Sequence, residues 1–111
     1  MAYDHDLANR IRELLSGEAG TTEKAMFGGL AFLLHGNMAI AASGRGGVMV
    51  RIDPDDADDM LGHPYTEVVV MRGRQMPGWI RVGAEGVKTK RQLQPWVRRA
   101  LKYTRTLPPK G

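Results

Sequence analysis

The stretch that most constrains this chain is Met26-Phe27-Gly28-Gly29, followed directly by Leu30-Ala31-Phe32-Leu33-Leu34. Two residues without side chains separate two bulky apolar residues from five more. A glycine pair inside strand-like sequence marks a bulge or a close approach of backbones. The expectation is one strand from Thr21 to Leu34, bent sharply at Gly28-Gly29, with Phe27 anchoring the core.

Turn signals then punctuate apolar runs. His35-Gly36-Asn37 is a compact turn between two such runs and predicts a hairpin. Met38 to Ser43 is the returning strand, Gly44-Arg45-Gly46-Gly47 the next turn, and Val48 to Ile52 a third strand with alternating character. Asp53 to Gly62 reads as a helix, with Asp53 as N-cap, Pro54 at its first position and Gly62 at its end. Three β-branched residues in a row make Thr66 to Arg72 a strand. Met76 to Val82 is the last strand, anchored by Trp79, and Pro77 puts its start at a sheet edge or a bulge.

Helices bracket this β-rich middle. Leu7, Ile11, Leu14 and Leu15 form one apolar face from Asp4 to Ser16, with Asp4 as N-cap and Gly17 as a left-handed terminator. Thr89 and Gln92 have capping-box spacing. The apolar positions Leu93, Trp96, Val97, Ala100, Leu101 and Thr104 follow at helical period. Pro95 leaves two alternatives: a bent helix, or a helix that begins near Pro95. The fold class is α+β, a two-layer domain of order α-β-β-β-α-β-β-α. Its antiparallel sheet carries the helices on one face. Residues 1–105 make one domain and residues 106–111 a flexible tail.

The arrangement resembles the N-terminal domain of the TfoX/Sxy family, regulators of natural competence in some bacteria. The likeness rests on Met26-Phe27-Gly28-Gly29, His35-Gly36-Asn37-Met38, the Val48–Ile52 strand leading into the acidic helix, and the final helix around Trp96 and Ala100-Leu101. It covers about residues 5–105. It implies the compact α/β domain derived above and a role linked to transcription or competence. Those regulators carry a second, helical domain, whereas this chain ends at Gly111, so the competence role is an expectation that transfers poorly.

The chemistry is sparse. There is no cysteine, which removes disulfides, thiolate metal sites and thiol catalysis. His5, His35 and His63 show no metal-ligand spacing, and Ser16 and Ser43 lack a nucleophile context. The acidic run from Asp53 fails as a calcium loop, because Ala57 stands at the fifth position and Asp58 where glycine is needed. Gly44-Arg45-Gly46-Gly47 lacks the Lys-Ser/Thr of a phosphate loop. No catalytic residue, metal or cofactor is expected. The longest apolar run, Leu30 to Leu34, is far below the ~20 residues of a membrane span. With no secretion signal at the N-terminus, the expected location is cytoplasmic.

Charge carries the remaining signal. Residues 1–71 hold five Lys/Arg against eleven Asp/Glu, a net of −6; residues 72–111 hold eleven against one, a net of +10. Arg98, Arg99, Lys102 and Arg105 are expected on the helix face opposite Trp96, Val97 and Leu101, joined by Arg72 and Arg74 into one patch for an anionic partner. The leading expectation is a small regulatory binding module with a protein or anionic partner. Direct nonspecific nucleic-acid binding through the basic half is a second. A small-ligand binder or enzyme with a pocket near Arg74 and Trp79 is a third. A monomer and a homodimer both remain open.

Overall fold

The computed structural model describes residues 3–26, 28–71 and 73–109, and of Met71 and Pro77 the backbone alone. Phe27 and Arg72 lie outside the described residues, so the core role expected of Phe27 and the charge expected of Arg72 are not placed. The elements are α1 (His5–Leu14), β1 (Thr21–Met26), β2 (Gly29–Leu34), β3 (Asn37–Ala42), β4 (Val48–Arg51), α2 (Ala57–Met60), β5 (Thr66–Met71), β6 (Arg74–Val82) and α3 (Lys90–Thr104). Short 3-10 turns, Pro54–Asp56 and Ala84–Val87, precede α2 and α3. Six strands form one antiparallel sheet in the order β1-β2-β3-β4-β6-β5.

The α+β class and the antiparallel sheet agree with the sequence. The bent strand does not. Residues 21–34 are two strands in a hairpin, with Met26 opposite Gly29 and Thr21 opposite Leu34. Gly28 makes the turn at φ 74°, a left-handed conformation open to glycine at no steric cost. Gly29 serves a different need. A Cβ there would lie 2.2 Å from the Ala42 carbonyl oxygen, so the absent side chain lets the end of β3 close on the start of β2.

One face of the sheet is the core. Leu30, Phe32, Leu34, Ile40, Val48, Val50, Ile80 and Val82 meet Leu7, Ile11, Leu93, Trp96, Val97 and Ala100 from α1 and α3. The other face bears Ala31, Leu33, Met49, Arg51, Trp79 and Arg81, with no helix packed on it among the described residues. Trp79 is therefore not a core anchor. It is half-buried on the open face, beneath the Arg51 guanidinium at 5.4 Å.

Local capping explains the helix boundaries. The Asp4 carboxylate accepts from the N–H groups of Asp6 (2.9 Å) and Leu7 (3.2 Å), satisfying two donors that the helix itself leaves free. Gly17 is not among the left-handed glycines; α1 ends at Leu14, with Leu15 still in right-handed geometry as its C-cap. The Asp53–Gly62 helix is only a 3-10 turn and one α-helical turn, because five aspartates leave few apolar residues to pack. Thr89 and Gln92 form the reciprocal capping box. Pro95 sits inside an unbroken α3. The carbonyl it leaves unpaired belongs to Arg91 on the exposed side, where water can serve it.

Pro77 marks a bulge rather than a sheet edge. β6 starts earlier, at Arg74, and lies between β4 and β5. The β5–β6 register shifts between Val68 and Val70, opposite the segment that holds Pro77 and Gly78. Past α3 the chain meets the sheet again: the buried Asn37 side chain donates to the Pro108 carbonyl at 2.8 Å. That contact falls within the segment expected as a tail.

Candidate anion-binding face of helix α3

The capping box fixes where α3 begins, and the core fixes how it is rotated. Leu93, Trp96, Val97, Ala100, Leu101 and Thr104 are buried. A helix turns 100° per residue, so residues seven, eleven and fourteen positions apart share a face. Arg91, Arg98, Lys102 and Arg105 fall on one stripe by this rule, and all four are exposed. Arg91 was not singled out from the sequence. Extending the helical period one step toward the N-terminus would have found it.

The other candidates fall elsewhere. Arg99 leaves the stripe and lies over the Trp96 ring, 4.6 Å from its centroid. Such stacking favours a guanidinium, whose charge meets the negative ring face. Arg105 is drawn into a hydrogen-bonded ion pair with Glu18. The pair holds the Glu18 carboxyl below its ordinary value and Arg105 above its own, chiefly through the side-chain hydrogen bond. Arg74 is exposed at the start of β6, at the tip of its hairpin. Of the expected cations, Arg98, Lys102 and Arg105 share the α3 stripe.

Arg74 and Trp79, the pair expected to form a pocket, lie on the same strand. They stand five residues apart along β6, and it is Arg51, opposite Trp79 in the ladder, that covers the indole. Sheet order created that contact, and nothing local in the sequence signals it.

A cleft lies between α2 and α3. Its volume is about 420 Å³. Asp53, Asp56 and Met60 line one side and Arg99, Lys102 and Tyr103 the other. Two carboxylates inside it oppose entry of a polyanion, so a long anionic partner is left the outer stripe. A second cleft, of about 260 Å³, runs between Tyr65 and Trp96 with Arg99 at its rim. The histidines stay apart: His5 lies at the start of α1, His35 in the β2–β3 turn, and His63 edge-on to Trp96.

Residues 13–103, from the second half of α1 to the end of α3, match the family model described as the TfoX N-terminal domain. The chain belongs to the TfoX N-terminal domain family. No curated protein matches it. In this TfoX N-terminal domain the Met26–Gly29 stretch is architectural. Its glycines serve the turn between β1 and β2 and the close approach of β3. No described helix is long and apolar enough to cross a membrane.

Four other cations of the domain have a carboxylate partner. Arg12 pairs with Glu23 at 2.5 Å, Arg81 with Glu67 at 3.4 Å, Lys88 with Glu85 at 3.7 Å and Lys90 with Glu13 at 3.8 Å. Among the described residues, Arg91, Arg98 and Lys102 have no such carboxylate, and neither do Arg10, Lys24, Arg45, Arg51, Arg74 and Arg99; what sets the first three apart is that they share one stripe of α3.

Proposed function

We propose that this TfoX N-terminal domain is a binding module with no reaction of its own. It docks an acidic partner on the solvent face of α3 and serves regulation through that contact. The supporting observation is the grouping of unpaired cations on one helical stripe. Five cations are matched by carboxylates of the chain, and of the described cations that are not, Arg91, Arg98 and Lys102 lie exposed on a single stripe of α3. Along α3, Arg91 to Lys102 spans roughly 16 Å at ~1.5 Å per residue. That length suits several charges of an acidic protein surface or of a nucleic-acid backbone.

The test is a salt titration of binding to duplex DNA, single-stranded DNA and polyglutamate. It compares the native domain with R91E/R98E and with R45E/R74E, a control of equal charge change elsewhere. On duplex, each lost phosphate contact should flatten the log–log salt slope by about 0.9. The R91E/R98E variant should lose the binding and the control should keep it. Preference for polyglutamate would assign a protein partner, and preference for either DNA the direct nucleic-acid reading. Equal loss in both variants, or no retention on any probe at low salt, would refute the role of α3.

A further inference from the structure

The two edges of the sheet are built differently. β1, on one side, reads Thr-Thr-Glu-Lys-Ala-Met, and its middle residues Glu23 and Lys24 are exposed charges. Charged side chains are a common guard against unwanted strand pairing. β5, on the other side, reads Thr-Glu-Val-Val-Val-Met. Its only charge, Glu67, is turned to the open face and pairs with Arg81. The exposed large apolar residues of the described chain all lie on β5 or at its start: Tyr65 at 60%, Val68 at 36% and Val70 at 56%.

The hydrogen-bond parity of β5 shows which groups are unpaired. Gly83 N–H donates to the Tyr65 carbonyl at 2.8 Å. In an antiparallel ladder, alternate residues face opposite neighbours. Tyr65, Glu67 and Val69 therefore turn their backbone groups toward β6, and Thr66, Val68 and Val70 turn theirs outward. A row of outward N–H and C=O groups is a ready template for a further strand.

We propose that this strand is β5 of a second copy, paired antiparallel about a twofold axis through Val69. In that register Val68 of each copy lies opposite Val70 of the other. The outward donors and acceptors of both are satisfied, and the exposed valines cover each other on the helix side. Glu67 lies opposite Met71. A shift that centred the pair on Glu67 would set two carboxylates against each other, which is unfavourable. The contact is isologous and closes on itself, because the remaining edge, β1, is charged. The product is a dimer with one twelve-stranded sheet.

Sedimentation equilibrium of the native chain, V70K and V70T tests this. Each change enters the interface twice, so V70K should raise the dimer dissociation constant about tenfold or more, and V70T by less. Val70 is exposed, so both variants should keep the native circular dichroism. The twofold at Val69 forms a non-hydrogen-bonded pair, whose Cα atoms lie about 4.5 Å apart, within disulfide reach. The chain has no cysteine, so V69C should cross-link to dimer under mild oxidation, and K24C on the opposite edge should not. A native chain that is monomeric at every concentration would overturn the proposal. So would open-ended aggregation, a dimer indifferent to V70K, or equal cross-linking of V69C and K24C.

Discussion

Replacing the two glycines of Met26-Phe27-Gly28-Gly29 one at a time should separate two physical demands. At Gly28 the demand is conformational. An L-residue at φ 74° sits in the left-handed region at a cost of about 1–2 kcal/mol. Gly→Ala recovers roughly 0.4–1 kcal/mol by restricting the unfolded chain, so G28A should destabilise by about 1 kcal/mol. At Gly29 the demand is space. The added Cβ meets the Ala42 oxygen at 2.2 Å and the Gly44 nitrogen at 3.2 Å. The obstacle is backbone, and no rotamer change relieves it. The end of β3 must move by about 1 Å, straining the Leu30–Ala42 pairing. Overpacking costs of about 1–3 kcal/mol apply at their upper end, with a backbone hydrogen bond of about 1 kcal/mol also weakened. After the unfolded-state gain, G29A should cost about 3 kcal/mol. At roughly 4 °C per kcal/mol, thermal melts should fall about 4 °C for G28A and about 12 °C for G29A. Urea titrations should give the same order. Asparagine tolerates left-handed geometry, so G28N should be milder than G28A, while G29N should be no better than G29A. If G29A proves as mild as G28A, or asparagine rescues position 29, the close-approach account of Gly29 is wrong.

Two further outcomes follow from charge and capping. Glu18 and Glu23 have carboxyl values held below their ordinary 4.5, chiefly by hydrogen bonds from Arg105 and Arg12. Their stabilisation is present above that value and is lost as pH falls through the lowered folded values. The stability gap between native chain and R105Q should therefore be constant near neutrality and close on acidification, read from urea midpoints across pH; a gap that widens in acid would contradict it. The T89A variant removes the hydroxyl that accepts from the Gln92 N–H at 3.1 Å, while the reciprocal bond from the residue-89 N–H to the Gln92 side chain, 3.0 Å, can persist. It should cost about 1 kcal/mol in denaturant titration, and T89S should restore most of that.

Much of the fold is legible because its causes are local. Asp4, Thr89 and Gln92 announce helix starts through side chains that reach their own backbone. The His35-Gly36 turn announces a hairpin, with positive φ at both residues. The Met26–Gly29 stretch was misread as a bend because a glycine pair signals either a bulge or a two-residue hairpin. Only the pairing of Met26 with Gly29 decides between them. Pro77 left edge and bulge open for the same reason, and the position of β6 inside the sheet settled it.

The candidate face was half legible. Helical period alone places Arg98, Lys102 and Arg105 together, and it places Arg91 with them. It says nothing about Glu18, which is far away in sequence and takes Arg105 out of play. It also cannot tell that Arg99 lies on Trp96, or that Arg51 covers Trp79. Composition and periodicity thus determined the class of fold, the helix limits and the basic character of α3, because these arise from neighbours along the chain. The tertiary structure alone decided which cations stay unpaired, which strand is a bare edge and what the second glycine of the motif is for. Each of those depends on contacts between residues that only folding brings within reach.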